Sequence, residues 1–149
     1  MREHMGIFRG KRKDNGEWVQ GFLYHFPQMG LCRIRYWCDL FAKYGDADVD
    51  PDTVGECTGL TDKNGELVFE GDIIQFHKFY GEPDWVGVVR YEHCLYMAVG
   101  VMPLSYEKRI GEKPLLCPFE AQISSIDKDT IEIIGNIHDN PELLKGGEG

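Results

Sequence analysis

Apolar and polar positions alternate along residues 18–26, where Trp18, Phe22, Tyr24 and Phe26 fall on one side of an extended segment. Pro27 ends this segment, because proline has no N–H to donate to a strand ladder. Similar short apolar stretches recur along the chain, and turn residues separate them at intervals of about 8 to 12 residues, a spacing typical of small sandwiches and barrels. The pattern therefore predicts a mainly β protein.

Turn residues predict where hairpins form. Asp14-Asn15-Gly16-Glu17 predicts a first hairpin over residues 6–26, and Asp62-Lys63-Asn64-Gly65 predicts a second. Both assignments rest on Asn and Gly, which tolerate the positive φ of a tight turn. Further strands are predicted at residues 31–37, 67–69, 73–76, 86–91, 95–102, 123–126 and 131–137.

The remaining segments are predicted to be less regular. Residues 39–51 are acidic and irregular, and prolines and a glycine between 103 and 118 predict a long, weakly ordered connection. Asn140-Pro141-Glu142 predicts a short C-terminal helix, because Asn caps helices and Pro is tolerated at the first helical position. Residues 146–149 are predicted to be a disordered tail. We expect an N-terminal β-hairpin region with an acidic loop over 1–52 and a second unit over 53–149.

Charge and cysteine content change the picture only modestly. The net charge is −9, yet the first 13 residues are basic, and six carboxylates lie between Asp39 and Glu56. An acidic protein repels nucleic acid unless a local basic face dominates. The five cysteines form no C-x-x-C, and the start of the chain does not have the apolar run of a signal peptide. We therefore expect a cytoplasmic protein with free thiols and no membrane span.

The spacing of residues argues against three kinds of site: a calcium loop, a zinc site and a catalytic or nucleotide-binding motif. Asp46, Asp48 and Asp50 have the spacing of a calcium loop, but Pro51 stands where its glycine should be. Local zinc-ligand spacing is missing around the candidate ligands, and no hydrolase or nucleotide-binding motif occurs. We predict no catalytic residue, metal or cofactor. The zinc candidates considered are His77, His93, Cys94 and His138.

Two groups of residues are predicted to form a binding surface. The cations of the first strand could contact phosphates beside aromatic groups, whereas large aromatic groups in residues 76–85 could dominate an interface. The alternative for the aromatic residues is that they fold back as core. The predicted surface comprises Arg9, Lys11, Arg12, Lys13, Phe79, Tyr80 and Trp85.

Several blocks, in order along the chain, resemble the YopX family of phage and prophage proteins. They are Phe8-Arg9-Gly10-Lys11-Arg12 with residues 14–19 and Gly21, then residues 49–55 and 58–65, then 69–74, and finally 131–137 with 140–144. Cys57 stands where the family usually has an aromatic residue, and residues 92–120 match no family pattern. The resemblance implies an SH3-type barrel in the C-terminal two thirds, with no assigned catalytic residues. Without the family, turn chemistry and core packing already explain most residues from Thr58 to Asp72.

The functional hypotheses follow from these observations. The leading one is a non-enzymatic module from a phage or prophage that binds a host or phage protein in the bacterial cytoplasm. The basic first strand and the acidic segment 39–56 could also meet between subunits in a homo-oligomer. The alternative is a nucleic-acid-binding accessory protein that uses the basic strand. A small metal-dependent hydrolase is the third hypothesis.

Overall fold

The chain is described from a computed structural model, which covers residues 6–76, 85–92, 95–103 and 116–144. Side chains are described throughout these ranges except in 101–103 and 116–120. The predicted tail 146–149 and most of the predicted proline-rich connection lie outside them. The chain divides into two compact units, residues 1–59 and 60–149. Both are built from antiparallel strands, which confirms the mainly β prediction.

The first unit is a sheet in which three successive hairpins join its first four strands. The strands are β1 (Phe8–Lys11), β2 (Trp18–Phe26), β3 (Leu31–Cys38), β4 (Lys43–Asp48) and β5 (Gly55–Thr61). Their order in the sheet is β4-β3-β2-β1-β5, and all the pairings among β1 to β4 and between β1 and β5 are antiparallel. The C-terminal end of β5 belongs to the second unit.

The prediction that residues 39–51 are irregular is largely wrong, because these residues contain strand β4. Asp and Gly disfavour strands in isolation, but Gly45 and Ala47 alternate here with the aspartates. The aspartates then lie opposite arginines of β3, so cross-strand pairing outweighs local propensity. Residues 39–42 form the hairpin turn, with Ala42 at a φ of 47°.

A small apolar core lies on one side of this sheet. Ile34 and Val49 have no exposed surface. A Cβ at Gly21 would overlap the carbonyl oxygen of Arg35, so glycine at this position lets β2 and β3 approach closely. The buried cluster comprises Val19, Cys32, Ile34, Ala47 and Val49.

The end of β1 also contacts the segment that follows β4. One isolated bridge joins Arg12 and Val49, and the Asp50 N–H donates to the carbonyl of Lys11 over 2.8 Å. A single bridge is not a strand ladder, so this sheet stays open.

The second unit has a five-stranded antiparallel sheet and a larger core. The strands are β6 (Leu67–Phe69), β7 (Asp72–Phe76), β8 (Trp85–Glu92), β9 (Leu95–Pro103), β10 (Leu116–Gln122) and β11 (Glu132–Asn136). The sheet order is β10-β9-β8-β7-β11, and β6 lies beside β5. The core contains the fully buried Ile74, Val89 and Ile123 together with Phe76 and Trp85.

Two predictions in this unit are wrong. Residues 116–122 form strand β10 although they contain Pro118, which is tolerated because β10 is an edge strand. The predicted strand at 123–126 is a 3-10 helix, Ile123–Ser125, whose apolar first residue is buried in the core. Apolar residues in so short a run do not distinguish a strand from a helical turn.

The barrel prediction is not confirmed, because neither sheet is closed among the described residues. The predicted C-terminal helix is present as a short 3-10 segment, Pro141–Leu144. None of the helical segments in the described part of the chain has the length and apolar character needed to cross a bilayer.

Candidate functional site

Two of the predicted basic residues gather around one aromatic ring. Arg9 and Lys11 share one side of β1, and the cross-strand register sets Lys11 opposite Trp18. Their cationic groups lie over the Trp18 ring, at 4.7 Å for Arg9 and 5.5 Å for Lys11. Cation–π attraction therefore gathers these two cations around one indole.

Arg12 and Lys13 are used differently. Arg12 donates through Nε and Nη2 to the two carboxylate oxygens of Asp14, at 2.9 and 2.7 Å. This bidentate hydrogen bond lowers the pKa of Asp14 and raises that of Arg12. Lys13 is exposed, whereas Lys43 lies 5.5 Å from the ring of Phe41. Of the four predicted cations, Arg9 and Lys11 are the two seen to share the Trp18 ring.

The predicted aromatic loop is only partly described. Phe79 and Tyr80 lie outside the described residues. Trp85 is 7% exposed and packs in the core of the second unit, with its ring 5.7 Å from that of Phe76. The placement of Trp85 on a binding surface is therefore wrong, and its alternative, folding back as core, is confirmed.

The first sheet instead carries an aromatic surface that sequence reasoning found only in part. On β2, Val19 and Leu23 pack towards the core, and the alternate positions carry Phe22, Tyr24 and Phe26. Phe22 is 55% exposed and Phe26 is 50% exposed. A strand with one solvated side usually has polar residues on that side. Apolar groups on both sides are typical of a strand that is covered on both.

Strands β3 and β4 extend this surface. In the register of the sheet, Arg35 of β3 lies between Phe22 of β2 and Asp46 of β4. Arg33 of β3 likewise lies between Tyr24 and Asp48. We call this surface the aromatic face. It comprises Phe22, Tyr24, Phe26, Arg33, Arg35, Trp37, Tyr44, Asp46 and Asp48.

The charges of the aromatic face are paired within the chain. Arg35 donates two hydrogen bonds to Asp46, at 2.9 and 3.0 Å, and its guanidinium lies 5.4 Å from the Tyr24 ring. Arg33 donates from Nε to Asp48. The hydrogen bond from Arg35 lowers the pKa of Asp46, and the pKa values of both arginines are raised. The two pairs give this face no net charge.

An aromatic pair lies beside the ion pairs. The rings of Trp37 and Tyr44 meet edge to face, with centroids 5.1 Å apart. Trp37 is 52% exposed and Tyr44 is 58% exposed. This surface has a signal in the sequence, which appears once residues 43–48 are assigned to a strand. The signal is the alternation Arg33-x-Arg35-x-Trp37 followed by Tyr44-x-Asp46-x-Asp48.

Exposed apolar groups are concentrated in the segment from β2 to the start of β4. Ten large hydrophobic side chains are exposed among the described residues, and seven of them lie between Phe22 and Tyr44. The other three belong to the second unit. The seven residues of this segment are Phe22, Phe26, Met29, Trp37, Leu40, Phe41 and Tyr44.

The acidic residues are engaged in structure. Asp46 and Asp48 belong to β4 and pair with arginines, and the Asp50 side chain accepts the Asp52 N–H at 3.0 Å. In the predicted homo-oligomer, this acidic segment contacts the basic first strand of another subunit. Two of its aspartates, Asp46 and Asp48, already pair with arginines of the same chain. Within the described ranges, no group of three or more His, Cys, Asp or Glu side chains could hold a metal ion. Of the zinc candidates, His77, His93 and Cys94 lie outside those ranges.

An open cleft adjoins the aromatic face. Its volume is about 350 Å³, and Arg12, Lys13, Asp14, Asp46, Ala47 and Asp48 line it. Its aspartates accept hydrogen bonds from arginines of this chain. The cleft therefore offers paired ions and no arrangement of a nucleophile with a base.

The motif from Thr58 to Asp72 is structural. Asp62 is buried and accepts the backbone N–H groups of Asn64, Glu66 and Ile133, at 2.9, 3.0 and 3.2 Å. Asp72 is buried and accepts the Phe69 N–H at 2.7 Å. Both carboxylates thus fix turns, as turn chemistry predicts.

Net charge differs between the units. Residues 1–59 carry eight Lys and Arg against nine Asp and Glu, whereas residues 60–149 carry eight against sixteen. The first unit is therefore nearly neutral, and the excess of negative charge belongs to the second.

Comparison with known proteins places the chain in a family. The family model described as YopX protein matches residues 7–145. A crystal structure of protein EF1440 from Enterococcus faecalis is 21% identical, with 92% of this chain and 96% of that chain covered, at a TM-score of 0.47. No curated protein matches this chain significantly. Because the family model covers nearly all of the sequence, this chain belongs to the YopX family.

Proposed function

We propose that this chain is a non-enzymatic protein-binding module and that it binds through the aromatic face. The observation that carries the proposal is the concentration of exposed apolar groups between Phe22 and Tyr44. Single exposed apolar residues are ordinary, but contiguous apolar surfaces mark interaction sites. Tyr, Trp, Phe and Arg are the residues that protein interfaces favour.

The paired charges support a protein partner. Burying an unpaired charge is strongly unfavourable, but Arg33 and Arg35 already donate to carboxylates. They can therefore enter an interface without becoming isolated charges. The same carboxylates oppose a phosphate backbone, because a polyanion approaching this face would meet Asp46 and Asp48.

The wider setting belongs to the same proposal. We infer a phage or prophage accessory protein that acts in the bacterial cytoplasm on a host or phage protein, without catalysis. The SH3-type barrel is also retained as a proposal for the second unit. It is supported by β11, which follows two short 3-10 helices and pairs with β7, the first strand of its sheet.

The test is affinity capture from bacterial lysate with a matched pair of variants. Tyr44 and Tyr91 are exposed to nearly the same extent, 58% and 56%, and each contacts one other aromatic ring at 5.1 Å. We expect wild type and Tyr91→Glu to retain a protein that survives nuclease treatment and Tyr44→Glu to lose it. Equal retention by all three would contradict binding through the aromatic face.

A second candidate function rests on the cluster around Trp18. Arg9 and Lys11 flank an indole, a combination that single-stranded nucleic acid can use through phosphate contacts and base stacking. If this function holds, labelled single-stranded DNA should bind in a salt-dependent way. Lys11→Glu should then abolish binding while Lys63→Glu, in the second unit, leaves it intact.

A further inference from the structure

We infer that the end of the β3–β4 hairpin inserts into the interface of a lipid bilayer and attaches this chain to a membrane surface. We call residues 37–44 the hairpin tip. The inference goes beyond the proposed function, because it assigns a lipid surface to the hairpin tip, which shares Trp37 and Tyr44 with the aromatic face. Three observations carry it: the exposure of apolar groups at the turn, their presence on both sides of the hairpin, and the order of apolar, aromatic and charged groups along it.

The turn of this hairpin exposes large apolar side chains. Residues 39–42 join β3 to β4, and the two at the centre of the turn are Leu40 and Phe41. Leu40 is 84% exposed, the highest value among the exposed large hydrophobic side chains of the described ranges, and Phe41 is 66% exposed. Turn positions ordinarily carry Gly, Pro, Asn, Asp or Ser. Two large apolar groups at the outermost point of a hairpin therefore indicate contact with apolar surroundings.

Aromatic groups lie on both sides of the hairpin tip. Trp37 and Tyr44 form an edge-to-face pair on the side of the aromatic face. Side chains alternate along a strand, so Lys43 leaves β4 on the side opposite to Tyr44. The Lys43 ammonium lies 5.5 Å from the centre of the Phe41 ring. A flat protein surface contacts a hairpin from one side, whereas a fluid bilayer encloses an inserted tip, so this distribution favours lipid as the partner.

The order of groups along the hairpin matches the layers of a membrane interface. Leu40 and Phe41 each lie three positions beyond the paired residues Trp37 and Tyr44, which is at most about 10 Å along the hairpin. Apolar groups of proteins that lie in the interface penetrate about 5–10 Å into the boundary between headgroups and acyl chains. With the turn at that depth, the aromatic pair lies among the headgroups, where Trp and Tyr are enriched.

The charged groups lie where such an insertion leaves them hydrated. Arg35 and Asp46 form the next outward-facing row, about 7 Å behind the aromatic pair. Their ion pair therefore stays outside the apolar layer. The stem of Lys43 can lie along that layer while its ammonium reaches the phosphates. Asp39 and Lys43 are the charged residues of the hairpin tip and cancel in net charge, so attachment depends on apolar burial more than on anionic lipid.

The first experiment is flotation of the full chain with vesicles of phosphatidylethanolamine and phosphatidylglycerol. Met29 supplies a matched control, because it is 78% exposed in the turn at the other end of β3. We expect wild type and Met29→Asp to bind alike and Leu40→Asp to raise the vesicle dissociation constant at least about 10-fold, since it removes one buried apolar side chain. Both positions are exposed, so circular dichroism should show folded variants. A wild type that does not bind, or equal binding by the two variants, would overturn the inference.

The second experiment locates the contact by tryptophan fluorescence. Trp37 is 52% exposed, so its emission should shift to shorter wavelength when vesicles are added. Trp37→Phe should still bind vesicles but lose this shift, because the change keeps an apolar ring while it removes the reporter. The same binding should occur with phosphatidylcholine vesicles and persist in high salt. A shift that Trp37→Phe retains, or binding that needs anionic lipid and disappears in salt, would overturn insertion of the hairpin tip.

These outcomes separate the inference from the proposed function, because the vesicles contain no protein. Phe22→Ala should bind vesicles as wild type does, since Phe22 lies on β2 and outside the hairpin tip; equal weakening by Phe22→Ala and Leu40→Asp would contradict the inference. If wild type binds vesicles but captures no protein, the inference holds and the proposed function fails. If wild type captures a protein from membrane-free lysate, loses it in Leu40→Asp and does not bind vesicles, the hairpin tip contacts protein and the inference is wrong.

Discussion

The two units of this chain differ in where they keep their large apolar side chains. The second unit buries residues such as Phe76 and Ile74 completely or nearly so. The first unit has a small core around Ile34 and Val49 and leaves many of its aromatic residues exposed. The second unit also carries nearly all of the net negative charge. The comparison shows that the second unit buries its large apolar residues for stability, whereas the first unit leaves several of them exposed, where our proposal assigns them to recognition.

The largest expected effect comes from exchanging the same residue type in the two units. Phe76 is 1% exposed and Phe22 is 55% exposed. Phe76→Ala should lower the free energy of unfolding by about 3–5 kcal/mol, because it removes buried surface and leaves a cavity. Phe22→Ala should change it by less than about 1 kcal/mol.

Urea unfolding at low protein concentration measures both changes. Phe22→Ala should instead weaken the capture of a partner protein from bacterial lysate. If the two substitutions destabilise the fold equally, the division of roles between the units is wrong.

The sequence predicts the local part of this fold well. Asn15-Gly16 and Asn64-Gly65 determine turns through short-range chemistry, and the glycines of both have the positive φ that such turns need. Strand β4 could not be predicted in the same way. Asp46 and Asp48 lower the local strand propensity, and the arginines that compensate them are 11 to 15 residues away in the sequence.

The candidate site shows the same limit. Alternation along β2 predicts the side of the strand that carries Phe22. The pairing of Trp37 with Tyr44 depends instead on the register of the β3–β4 hairpin, which the local sequence pattern does not predict. Trp85 has the residue type of an interface and the surroundings of a core. Residue type alone could not distinguish these roles, because burial is decided by tertiary packing.

An intermediate effect is expected at a buried turn of the second unit. Asp62→Ala would leave three backbone N–H groups without their acceptor. We expect the free energy of unfolding to fall by about 2–4 kcal/mol, since unsatisfied buried donors are unfavourable. Thermal unfolding followed by circular dichroism measures the change.

The matched control is Asp127→Ala. The Asp127 side chain is exposed and accepts only the Asp129 N–H among the described contacts. This change should lower stability by about 1 kcal/mol. Equal losses from the two substitutions would mean that burial of Asp62 adds nothing.

The smallest effect concerns titration on the aromatic face. Arg35 lowers the pKa of Asp46 below the ordinary value of 3.8. A depressed folded-state pKa stabilises the folded state above the unfolded-state value, and this stabilisation is lost as pH falls through the folded-state pKa. The window therefore lies below pH 3.8.

NMR titration of the Asp46 carboxylate checks this prediction. Arg35→Gln should shift its midpoint upward towards the ordinary value, whereas Lys63→Gln, which removes a cation of the second unit, should not. An unchanged midpoint in Arg35→Gln would show that the ion pair does not persist in solution.

Oxidative footprinting of wild-type protein tests the central claim most directly, because it reports which side chains are covered without any substitution. The reactivity of Trp37 and Tyr44 would be compared with that of Tyr91 in dilute buffer, at high protein concentration and in bacterial lysate. Binding through the aromatic face predicts that Trp37 and Tyr44 become protected at high concentration or in lysate while Tyr91 stays reactive. Unchanged reactivity of Trp37 and Tyr44 under all three conditions would contradict it.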